Sequence, residues 1–90
     1  MKIVFDEAKR QKTLRDRGMD FAYAGRVFDG PKFTQKDERR DYPEPRFQTY
    51  GLINDRLVTI AWTPIDNGIR VISMRKRNGR EQEYFTARLG

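Results

Sequence analysis

Ninety residues leave room for one domain, expected to span 1–90, and a chain this short buries only ~60–65% of the surface its unfolded form exposes. The absence of cysteine and histidine excludes disulfide frameworks and cysteine-type zinc sites, and it removes the commonest general base. The 19 Lys and Arg outnumber the 13 Asp and Glu, for a net charge of +6, which points to an anionic partner: nucleic acid, an acidic protein surface or a membrane face.

Six Phe, four Tyr and one Trp supply core volume, which argues against disorder. No run approaches the ~18 apolar residues of a membrane span. The opening Met1-Lys2-Ile3-Val4-Phe5-Asp6 turns polar too soon for a signal peptide, so a cytoplasmic location is expected.

Lys2 to Phe5 read as a short strand. Asp6 caps a helix from Glu7 to Arg17, weakly amphipathic through Ala8 and Leu14, and Gly18 stops it. Its basic residues Lys9, Arg10, Lys12, Arg15 and Arg17 read as a solvated face or a surface for an acidic partner. Asp20 caps a second helix, Phe21 to Phe28, with Phe21, Ala24 and Phe28 on one apolar stripe. Residues 32–45, with Pro43 and Pro45, predict a loop with a short edge strand.

Three β runs follow. Arg46 to Ile53 and Leu57 to Thr63 flank the turn Asn54-Asp55; Asp66-Asn67-Gly68 leads into Ile69 to Arg75. In that last run, strict alternation places Ile69, Val71 and Ser73 on one face and Arg70, Ile72 and Met74 on the other. Trp62 and Phe47 read as core rather than as stacking platforms. Asn78, with Glu81 three residues on, opens a third helix. The order predicts an α+β domain: a short N-terminal strand, two helices, an antiparallel meander and a C-terminal helix.

No P-loop, dinucleotide fingerprint or nucleophile elbow is present, and the acidic residues are scattered, so no metal or cofactor is expected. The basic stretch Arg70 to Arg88 is the most informative. A strand end feeding a helix N-terminus gathers Arg70, Arg75, Lys76, Arg77 and Arg80 where a phosphate would be held, and Arg46 begins a neighbouring strand. RNA cleavage needs neither a metal nor a protein nucleophile, because the 2′-hydroxyl attacks its own phosphodiester. Proton transfer would then fall to Glu81, Tyr84 or Lys76. Each residue has a plainer reading: Arg75 as a partner of Glu81 or Glu83, Arg46 as a solvated strand start, Glu81 as a helix cap.

The chain resembles the BrnT family of bacterial type II toxins. Phe5-Asp6-Glu7-Ala8-Lys9 is similar to the family's strand-to-helix start, and Gly18-Met19-Asp20-Phe21, with Ala24 and Val27-Phe28, to its second-helix signature. Asp41-Tyr42-Pro43-Glu44-Pro45-Arg46 resembles its R-Y-G-E-x-R segment. Gly51-Leu52 and the strand Arg56 to Thr63 follow the family's pattern. Arg70-Val71-Ile72-Ser73-Met74-Arg75-Lys76, with Arg80-Glu81, resembles its most diagnostic stretch, R-I-I-S-A-R-K…R-E. Four positions depart from the pattern: Thr13, Asp16-Arg17, Pro43 and the placement of Tyr84 before Phe85.

The resemblance implies a RelE-like fold and a metal-independent endoribonuclease that halts translation. It also implies a DNA-binding antitoxin of the BrnA kind, with operator DNA reached only through that antitoxin. Carried to matching positions, it implies roles for Arg46, Arg70, Arg75, Lys76 and Glu81. The alternative is a non-catalytic basic module acting as an antitoxin-bound co-repressor.

Overall fold

A computed structural model describes residues 1–89. In chain order the elements are β1 (Lys2–Val4), α1 (Glu7–Arg17), a 3-10 turn (Phe21–Tyr23), α2 (Ala24–Asp29), β2 (Lys32–Lys36), β3 (Phe47–Ile53), β4 (Arg56–Ile65), β5 (Gly68–Lys76) and α3 (Gly79–Leu89). The five strands form one mixed sheet in the order β1-β5-β4-β3-β2. β2 to β5 are antiparallel neighbours, and β1 runs parallel to β5 at the edge. The chain is therefore an α+β domain, with α1 and α2 on one sheet face and α3 on the other.

Local chemistry sets the boundaries. The Asp6 carboxylate accepts from the Lys9 amide at 3.1 Å, and Gly18 ends α1 at φ 66°, donating its amide to the Leu14 carbonyl at 3.0 Å. Asn54 and Asp55 both take positive φ (50° and 64°), which matches the twist of the β3–β4 hairpin. Asp20 caps as expected, accepting from the Ala22 amide at 2.9 Å, but what it starts is a 3-10 turn, and α2 is a separate six-residue helix. The expected edge strand is β2, paired with β3 along its whole length.

The main core lies between the sheet and the α1/α2 layer. Met19, Phe21, Ala24 and Val27 pack there against Val58, Ile60, Ile69, Val71 and Met74, all buried. Val27, rather than the half-buried Phe28, completes the α2 stripe. Burying a side chain such as Phe21 or Ile60 contributes about 1.5–3 kcal/mol. Trp62 and Phe47 stack at 5.0 Å between centroids, Phe28 meets Trp62 edge-on at 5.6 Å, and the Trp62 indole donates to Thr49 at 2.8 Å. Both rings are half-buried, and Trp62 packs against the core. β3 approaches α2 so closely at Gly51 that a Cβ there would lie 2.6 Å from Val27 Cγ1, so only glycine fits.

α1 buries no residue: Ala8 is exposed and Leu14 is 38% exposed. Polar contacts hold it instead. Arg10 spans the gap to Asp20 with Nε and Nη2 donating at 2.7 and 3.0 Å, and Arg17 donates to the Met74 carbonyl at 3.0 Å on the edge of β5 that β1 leaves uncovered.

One expectation for β5 is overturned. Ala61 pairs with Ser73 but Trp62 pairs with Val71, so Ile72 is an extra residue in a β-bulge. The alternation changes phase at that point. Met74 joins Ile69 and Val71 in the core, and Ser73 moves to the face of Arg70.

Candidate active site on the open sheet face

The second sheet face is built from Phe33 and Gln35 on β2, Gln48 and Tyr50 on β3, Thr59, Ala61 and Thr63 on β4, and Arg70, Ser73 and Arg75 on β5. α3 covers one end. Phe85 stacks on Tyr50 at 4.3 Å, and Gln82 accepts from the Leu57 amide at 3.2 Å. The segment between β2 and β3 borders the other end. Between them the row Gln35, Gln48, Ala61, Ser73 forms a polar floor with small side chains on its β4 and β5 side.

Arg70 and Arg75 are five residues apart, so a regular strand would point them to opposite faces. The bulge at Ile72 brings both to this one, opposite Thr63 and Thr59 respectively. Arg70 is committed, with Nη2 donating to both Glu44 carboxylate oxygens at 2.7 and 2.6 Å. Arg75 is exposed, and no carboxylate lies within ion-pair distance of it among the described residues.

Arg46 precedes Phe47 and so shares the face of Gln48. Its guanidinium lies 4.0 Å from the Tyr42 ring centroid, and its Nε is buried with no hydrogen-bond partner among the described residues. It lines a cavity of about 540 Å³ with Lys36, Arg40, Tyr42 and Glu44.

Asp37, 6% exposed, shapes the segment that carries Tyr42. Its carboxylate accepts from Arg39 Nε at 2.9 Å, Arg39 Nη2 at 2.8 Å and the Arg39 amide at 3.2 Å, and more distantly from Tyr42 and Gln48, both at 3.4 Å. The hydrogen bonds from the Arg39 guanidinium hold this carboxyl well below its ordinary range, against the opposing effect of burial. A depressed carboxylate contributes stability that is fully present above its unfolded pKa of about 3.9 and is lost as pH falls through the lower folded value. Thermal melts at stepped pH are therefore expected to show wild type losing stability below about pH 4 and Asp37→Asn showing a shallower acid limb. At pH 7 the variant is expected to be less stable by roughly 1–3 kcal/mol.

The remaining predicted residues fall in different places. Arg77 is half-buried on the same face. It donates to Thr59 at 2.6 Å, lies 5.6 Å from the Tyr50 centroid and pairs with Glu81 at 3.2 Å. Glu81 also closes the start of α3: its amide donates to the Asn78 side chain at 2.8 Å and its carboxylate accepts from the Asn78 amide group at 2.9 Å. Arg80 is exposed. Tyr84 is 59% exposed, with its hydroxyl accepting from Arg88 at 3.0 Å. Lys76 stands apart, opposite Val58 on the α1/α2 face and close to Gly18.

The structure thus brings Arg46, Arg70, Arg75 and Arg77 to one face, with Glu81 at its α3 end. Sequence reasoning passed over Tyr42 and Asp37 as site residues. The signal available for Tyr42 was an aromatic residue four positions before Arg46. Among the described residues no group of three His, Cys, Asp or Glu side chains is placed to hold a metal ion. No helix there is long and apolar enough to cross a membrane.

A small mixed sheet with one face buried under helices, and the other partly covered by α3 and the segment before β3 with arginines along it, defines a small basic α+β domain. A family model, described as ribonuclease toxin, BrnT, of type II toxin–antitoxin system, matches residues 5–81. The chain belongs to that family, and a protein antitoxin is its implied partner. No curated protein matches the chain.

Proposed function

We propose that this chain is a metal-independent endoribonuclease that cuts RNA on the open sheet face, inhibits translation in the cytoplasm and is neutralised by a DNA-binding antitoxin. The observation that carries the reading is Arg75, an exposed guanidinium with no carboxylate partner among the described residues, on the same face as Arg46.

In this reading Arg75 and Arg46 neutralise the phosphoryl oxygens as charge gathers on them. The RNA 2′-oxygen forms a bond to phosphorus, and the bond from phosphorus to the 5′-oxygen breaks. Glu81 takes the 2′ proton, and the Tyr84 hydroxyl gives a proton to the leaving 5′-oxygen and regains one from water. Arg70 and Glu44, Arg77 and Thr59, and Tyr42 beneath Arg46 hold the face in shape. Lys76, on the opposite face, is not given a part in the chemistry, and Tyr84 stands beside Glu81 as a second proton carrier.

Incubation of the purified chain with RNA in excess chelator tests this. Fragments ending in 2′,3′-cyclic phosphate and beginning with 5′-hydroxyl are expected, together with growth arrest on induction that the antitoxin relieves. Intact RNA and normal growth from a folded chain would defeat it. Two ion pairs, Arg70 with Glu44 and Arg77 with Glu81, give some support to a second reading, the non-catalytic co-repressor, which that outcome would favour.

A further inference from the structure

A trough of about 660 Å³ lies on the α1/α2 side of the molecule, away from the open polar face. Met19 and Val58 form its floor. Leu14 and Tyr23, 38% and 51% exposed, stand at its sides. Isolated exposed apolar side chains are ordinary, but these two are large and line one concavity. Arg26, Arg56 and Lys76 also line it, and none has a carboxylate within ion-pair distance among the described residues. The one acidic side chain there, Asp20, is already held by Arg10.

An apolar floor bordered by Arg26, Lys76 and Arg56, whose Nη2 donates to the Arg77 carbonyl at 2.6 Å, is complementary to a segment that carries apolar anchors flanked by Asp or Glu. We infer that this trough is where the antitoxin seats an acidic, apolar-anchored segment, an assignment that rests on the toxin reading above. Nucleic acid fits the trough less well. Its aliphatic floor offers bases no hydrogen bonds, and the Arg26 guanidinium, 4.6 Å from the ring centroid, already covers Tyr23 where a base would stack. A partner bound here lies on the far side of the sheet from Arg46 and Arg75. It would meet the site only if a further part of it passed round the β5 edge near Arg17.

The test is calorimetric titration of the antitoxin into wild type, Leu14→Asp, Tyr23→Asp and Arg26→Glu. Circular dichroism melts confirm that the variants fold, as expected for exposed positions. Each variant should weaken binding by roughly 30-fold or more. RNA cleavage by the free variants should equal wild type, so each should be toxic yet poorly neutralised. Arg26→Glu should also flatten the salt dependence of binding. Wild-type affinity in all three folded variants overturns the trough and leaves the toxin reading standing. Loss of RNA affinity in place of antitoxin affinity also overturns it. Absence of binding by wild type defeats the toxin–antitoxin reading itself, and the trough assignment with it.

Discussion

Arg75→Ala is expected to lower the rate of RNA cleavage by roughly 10²–10³-fold, the cost of removing one preorganised charge-stabilising donor from a transition state. The expectation follows from its surroundings. A guanidinium held by a carboxylate must exchange that partner for the phosphate, which offsets much of the gain. Among the described residues Arg75 has no such partner to give up. It is also exposed, so its removal leaves no cavity and no orphaned polar group, and the melting temperature should not move. Single-turnover cleavage with saturating enzyme separates the effects: the chemical step should slow while RNA affinity changes little. Arg75→Lys should recover only part of the rate, because a point ammonium cannot reproduce the planar fork. Unchanged cleavage in a folded Arg75→Ala protein would remove this residue from the site.

Phe21→Ala has the largest expected effect on the fold itself. Phe21 is 1% exposed, meets Phe5 edge-on at 6.0 Å between centroids and sits in the cluster that joins α2 to the sheet. Truncation should cost about 3–5 kcal/mol, from lost transfer energy plus the cavity left behind. A domain's whole margin is about 5–15 kcal/mol, and a small core sits toward the low end. Urea titration should show a sharply lower midpoint with little change in slope. Because α1 contributes no buried side chain, the neighbouring layer has little apolar material with which to fill the hole. A midpoint close to wild type would mean that the α1/α2 layer contributes far less to stability than its burial indicates.

The features legible in the sequence were those fixed by near neighbours. Asp6, Gly18, Asp20 and Asn78 each bond to a backbone group within four residues, and each marks a boundary that could be read along the chain. The turn at Asn54-Asp55 was legible for the same reason. The features that escaped depend on partners distant in sequence. No local property of Ile72 marks it as a bulge; only the register against β4 makes it one. α1 resembled an amphipathic helix, yet it is fastened by Arg10 to Asp20 and by Arg17 to a strand-edge carbonyl, contacts that hydrophobic periodicity does not report. Along the chain the basic residues from Arg70 to Arg88 form one dense stretch. In the fold, Arg75 and Lys76 lie on opposite faces of the same strand, and Arg46 joins the group from elsewhere in the chain. Glu81 makes the capping contacts that its spacing from Asn78 predicts, and it pairs as well with Arg77.

The bulge has a consequence for how the chain tolerates changes in length. Either side of Ile72, core and surface positions in β5 follow opposite parities. Loss of Ile72 would remove the bulge and restore a single alternation, with Met74 still in the interior and Arg75 still on the open face. A regular strand that loses one residue turns everything beyond the deletion to the opposite face, whereas here the bulge takes up the loss. Surface loops absorb single insertions or deletions at little cost. In β5, the bulge gives the stretch around Ile72 the same latitude for the loss of one residue.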